Sequence, residues 1–202
     1  MSITSYDTLI TAITTTLQDS TLTAEAAQYI QFAEAELSRR LHVHETETST
    51  TFTAASSVAL PTDYKGVISI KLDDYAPLKQ LSLDDFQTRF AEDTNTGIPE
   101  YYAIAGSNIL LGPPPESAYT GTIYYWQTLT ALAEGNQSNW LLLKHPDLYF
   151  YASLIHAEAD GWNDERVPLF VEAVDRIIIQ INRADMRARR AALAGDVPGD
   201  YF

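Results

Sequence analysis

A chain of 202 residues can bury one real core with room for a small second lobe, and 46% hydrophobic with 20% charged residues is the balance of a folding protein. Its 13 Lys and Arg against 27 Asp and Glu leave a net charge of −14, which opposes nonspecific adhesion to DNA or anionic lipid. The absence of cysteine removes disulfides, thiolate zinc sites and cysteine nucleophiles together, and suits a reducing compartment.

Residues 1–19 hold Asp7 and no basic residue ahead of an apolar run, so no secretory signal is expected there. No stretch approaches the roughly 18 apolar residues of a membrane span, and a soluble protein made in the cytoplasm is expected. Tyr6, Leu9, Ile10, Ile13 and Leu17 return at helical intervals until Asp19 and Ser20 interrupt them. A second helix is expected from Thr23, read as its N-cap, to Leu41, with Ala26, Ile30, Ala33, Leu37 and Leu41 as its apolar stripe. The two read as a helical hairpin.

From Thr46 the composition turns to Thr, Ser, Val, aromatics and turn formers, the signature of a β-rich insert. In Val67 to Leu72, Ile68, Ile70 and Leu72 alternate with Ser69 and Lys71, which predicts a half-buried strand. Ser82 ahead of Asp84, Asp85, Phe86 and Phe90 predicts a short capped helix. Tyr101 to Ala105 and Ile109 to Leu111 flank Gly106, Ser107 and Asn108, which predicts a hairpin with a three-residue turn, ended by Pro113 to Pro115. Thr120 to Gln127 alternates Thr122, Tyr124 and Trp126 against Ile123 and Tyr125, so the insert is expected to be one small antiparallel sheet.

Helix is expected to return at Pro146, with Leu148, Ala152, Ile155, Ala159 and Trp162 as a buried seam. Asn163 and Asp164 are read as caps of a last helix, with Phe170, Val174, Ile177, Ile178 and Ile181 as its stripe and Arg183, Arg187, Arg189 and Arg190 matching its C-terminal dipole. The expected fold class is α+β: a bundle of about four helices, two from each end of the chain, with a central antiparallel insert and an extended C-terminal arm. The expected organisation is a single domain over 1–194, helical over 1–45 and 140–194, with the insert at 46–139 and the arm at 195–202.

Few motifs in the chain carry chemistry. His156, Ala157 and Glu158 reproduce the H-x-E start of zinc deaminases, but that site needs thiolates this chain lacks. His156 and Asp160 share a helix face, two ligands without a third. His42, His44, Glu45 and Glu47 bring imidazole and carboxylate together, but polar residues at a helix exit are usually solvated. His145 ahead of Pro146 has no evident catalytic neighbour. No glycine-rich phosphate loop and no G-x-S-x-G turn occurs. Asp73 with Asp74 and Asp84 with Asp85 are sequence neighbours and suit turns and caps better than a glycosidase pair. Tyr124 to Trp126 and Tyr149 to Tyr151 lack basic partners and read as core or interface. Arg183, Arg187, Arg189 and Arg190 oppose the sign of the rest of the chain and mark a candidate surface for self-association or an acidic partner, as do Val197, Tyr201 and Phe202 of the arm. No catalytic, cofactor or metal residue is expected.

The ordered series of signals resembles the tailed-bacteriophage head-to-tail adaptor (connector) family. It is carried by Phe32 to Arg40, Leu60 to Tyr64, Pro99 to Tyr102, Leu110 to Pro113, Tyr124 with Tyr125, Asn139 to Leu142 and Pro146 to Tyr149, and covers nearly the whole chain. The resemblance implies a structural virion protein at the neck, assembled in the host cytoplasm as a ring of twelve copies between the portal protein and a tail or nozzle protein. DNA then passes the lumen without specific binding. The rivals are a virion-borne enzyme, either a metal-assisted hydrolase using His156, Glu158 and Asp160 or a glycan hydrolase, and another phage connector such as a stopper or tail-completion protein.

Overall fold

A computed structural model describes residues 2–19, 22–90, 95–160 and 165–194. Helices α1 (Tyr6–Leu17) and α2 (Thr23–Arg40) come first, followed by a single 3-10 turn, His44–Thr46. Strands β1 (Glu47–Thr53), β2 (Ser57–Ala59), β3 (Tyr64–Leu72) and β4 (Lys79–Gln80) precede helix α3 (Leu83–Phe90). Strands β5 (Tyr101–Ala105), β6 (Asn108–Gly112) and β7 (Thr120–Gln127) lead to helices α4 (Trp140–Lys144), α5 (Pro146–Asp160) and α6 (Val167–Ala194). The fold is α+β. The chain divides into two compact units, residues 1–45 with 129–202, and residues 46–128.

In the first unit α1 opens on a capping box: the Ser5 hydroxyl accepts the Thr8 N–H at 3.3 Å while Thr8 Oγ1 accepts the Ser5 N–H at 2.9 Å. The expected N-cap of α2 is corrected. Thr23 is its first helical residue, and Leu22 at the cap, with φ −81° and ψ 29°, makes no side-chain bond to the helix. The predicted stripe of Ala26, Ile30, Ala33, Leu37 and Leu41 is buried, as are Val174, Ile177, Ile178 and Ile181 of the α6 stripe, while its first member, Phe170, is half-buried.

The expected seam of α5 is corrected in part. Leu148 and Ala152 are buried and Ile155 half-buried, but Ala159 is exposed and Tyr149, Ser153, Leu154 and Ala157 are buried instead. The cause is position: α5 packs against α1, α2, α4 and α6, so it is covered on several sides and has no single apolar stripe. Helix α4 was not expected, being too short for a period to show; Asn139 caps it, its Oδ1 accepting the Leu142 N–H at 2.9 Å. Trp162 and the expected caps Asn163 and Asp164 lie outside the described residues.

The second unit holds two sheets where one antiparallel sheet was expected. One has the order β1-β7-β3 and is antiparallel; the other has the order β2-β6-β5-β4 and is mixed, because β4 runs parallel to β5. Ile70 and Leu72 point inward as predicted, but Ile68 is 40% exposed. A register shift explains this: Val67 pairs with Tyr125 and Ser69 with Tyr124, so Ile68 is the extra residue of a bulge and loses the alternation. The hairpin turn is also shorter than predicted. Ala105 pairs with Asn108, leaving Gly106 and Ser107 as a two-residue turn with Gly106 at φ +59°. The α3 prediction holds: Ser82 Oγ accepts the Asp85 N–H at 3.1 Å. Strand β7 keeps its predicted span and buries Ile123 and Tyr125.

Candidate functional site

The enzyme-like triplet does not assemble. On a helix, residues two apart leave the axis roughly 200° apart. The His156 ring meets Phe32 edge-on at 5.6 Å between centroids, with Nε2 3.7 Å from the Glu36 carboxylate. Burial pushes its pKa down, against the Glu36 charge. Glu158 is buried and lies 3.4 Å from the Arg166 guanidinium. The Asp160 side chain lies outside the described residues.

The strongest convergence of titratable groups joins the exit of α2 to α6. Asp185, buried on α6, accepts the His44 N–H at 3.0 Å through Oδ1 and the Arg189 Nε–H at 2.7 Å through Oδ2; the His44 ring nitrogen Nδ1 stands 2.8 Å from Oδ1. Glu45 lies 3.1 Å from the same ring nitrogen and accepts the Lys144 ammonium at 2.7 Å. Burial raises the Asp185 pKa, but the His44 N–H and the Arg189 guanidinium outweigh it and hold the carboxyl below its ordinary value. Glu45 is likewise lowered: burial is outweighed by Lys144 and the neighbouring ring. The cluster borders a groove of about 430 Å³ also lined by His145, Asp147 and Ile177. Burial pushes the His145 pKa down against the charges of Asp147 and Glu45.

His44, Glu45 and Asp185 place ligand-type atoms within 4.8 Å of one another. The sequence pattern marks His44 and Glu45 but not Asp185, whose link to His44 spans 141 positions and has no local signal. Each carboxylate is already satisfied by a cation and by N–H donors, so a metal would have to displace Lys144 and Arg189. The arrangement ties the segment after α2 to α6.

The aromatic cluster is divided by the fold. Tyr125 is buried in the sheet unit, donates to Asp63 at 2.9 Å and is pushed up to about 12 by burial and that carboxylate. Tyr149 is buried in the helical unit, donates to Glu34 at 3.0 Å and accepts from Asn139 at 2.6 Å. Both are structural hydroxyls, while Tyr124 is exposed.

The predicted arginine surface separates in the same way. All four arginines are exposed along α6, but Arg189 is paired with Asp185. Val197, Tyr201 and Phe202 lie outside the described residues. Among the described residues no helix is long and apolar enough to cross a membrane. Residues 4–195 match the family model described as SU10 adaptor protein. No curated protein matches the chain.

Proposed function

The chain belongs to the SU10 adaptor protein family, a family of phage head-to-tail adaptors, and from that premise we propose that twelve copies form a ring between portal and tail around the DNA exit channel. The observation that carries the reading is the family match over residues 4–195, nearly the whole chain. The family's role is structural and its place is the virion neck. In this reading residues 1–194 act as one adaptor domain, with α1, α2, α5 and α6 as its four-helix bundle and 195–202 as an arm that anchors on the portal. A net charge of −14 supports a lumen that lets DNA pass without gripping it.

A ring subunit needs two unlike side surfaces and two end surfaces, so much of its skin must accept partners. The test is to mix the full chain with purified portal rings and weigh the complex by native mass spectrometry. Twelve copies per portal ring is the expected result; no binding to portal under any salt condition overturns the reading.

A further inference from the structure

Along α6 the residues Glu172, Arg176, Ile179, Arg183, Met186 and Arg190 recur at spacings of four, three, four, three and four, and all six are exposed. They form one stripe on the side of the helix opposite the buried Val174, Ile177, Ile178 and Ile181. Ile179 is 48% and Met186 49% exposed, each flanked one turn away by arginine. Among the described residues no hydrogen bond or ion pair joins Arg176, Arg183 or Arg190. Arginine and methionine around exposed aliphatic groups form the composition of a protein interface rather than of a solvated helix face.

The charges say what it fits. Helix α6 carries five arginines against three carboxylates in a chain of net charge −14. Residues 1–38, which span α1 and most of α2, hold five carboxylates and no lysine or arginine, and Asp7 and Glu25 among them are exposed. We propose, resting on the adaptor reading, that the outward stripe of α6 docks on the cation-free part of the α1–α2 hairpin, residues 1–38, of a second copy. Two α6 stripes facing one another would set arginine against arginine, so the contact joins unlike faces and propagates around a ring. Nucleic acid is disfavoured as the occupant because Ile179 and Met186 interrupt the arginines and the whole chain repels phosphate.

A charge swap in the full chain tests this. Variant R183E/R190E has two acidic faces and variant D7R/E25R has two basic ones. Each alone is expected to self-associate on the order of 100-fold more weakly than wild type in sedimentation over a concentration series at about 0.15 M salt, where repulsion between whole chains is screened, while an equimolar mixture recovers association, because every contact is again between opposite charges. Circular dichroism confirms that both variants fold, and Ile179→Ser with Met186→Ser weakens association without changing charge. Wild-type chain that stays monomeric at every concentration, variants that associate normally, or a mixture that fails to recover overturns the proposal. Loss of DNA binding by R183E/R190E with self-association unchanged overturns it in favour of a nucleic-acid surface. Failure of the adaptor reading looks different: wild-type chain then fails to bind portal rings whether or not its copies associate.

Discussion

Glu34 sits inside the helical unit at 6% exposure, where its Oε1 accepts the Leu132 N–H at 2.8 Å and the Tyr149 hydroxyl at 3.0 Å. Removing that oxygen orphans two buried donors, so Glu34→Ala is expected to cost about 3 kcal/mol in chemical denaturation, while Glu34→Gln, which keeps an acceptor, costs about 1 kcal/mol or less. Burial raises the Glu34 pKa against those two hydrogen bonds, so the folded state holds its proton more tightly than the unfolded state. Stability from this group is therefore highest below the ordinary glutamate pKa and falls as pH rises through the raised folded value; Glu34→Gln should flatten that slope. Asp185 has the opposite sign. Its lowered pKa makes its contribution full above the ordinary aspartate value and lost as pH falls through the lowered folded one, so Asp185→Asn should flatten the acid limb of a pH–stability curve. His156→Ala and Glu158→Ala, made separately and shown to fold, should each leave particle assembly and infectivity near wild type. A folded, assembling variant that cannot infect would favour the enzyme rival.

Elements in the sheet unit depend on close approaches that side-chain pattern does not reveal. Gly121 of β7 pairs with Phe52 of β1, and a Cβ there would stand 2.5 Å from the Phe52 ring. Gly121→Ala must push an aromatic ring off the sheet, and a loss of about 1–3 kcal/mol is expected in thermal melts. The bulge at Ile68 is the other device: it turns an apolar side chain outward beside Tyr124, and both border a pocket with Glu47, Thr48, Ser49 and Ser69. Helix α6 shows its inner stripe in the spacing of its isoleucines, and its outer one once the ion pair with Asp185 separates Arg189 from Arg183 and Arg190.

At the scale of the whole molecule the charge governs assembly. Subunits of −14 repel one another over a Debye length of about 30 Å at 0.01 M salt and about 8 Å at 0.15 M. The isolated chain is therefore expected to be mainly monomeric at low salt and to close into rings on the portal, which fixes neighbours against their repulsion. Light scattering across ionic strength checks this, and stable rings in dilute low-salt solution without portal would overturn templating while leaving the family assignment in place.

The sequence by itself determined the α+β class, the spans of α1, β7 and the start of α5, the inward stripes of α2 and α6, and the family. Each of these rests on local periodicity, on caps or on an ordered series of short segments, and so is written along the chain. Tertiary structure decided what depends on distant partners. The bulge that turns Ile68 outward needs β7, the several-sided burial of α5 needs four neighbouring helices, and the parallel pairing of β4 with β5 needs two separated segments. Asp185 behaves alike: its own helix pairs it with Arg189, but only packing brings it to His44, because hydrogen bonds and ion pairs form between atoms close in space whatever their separation in sequence.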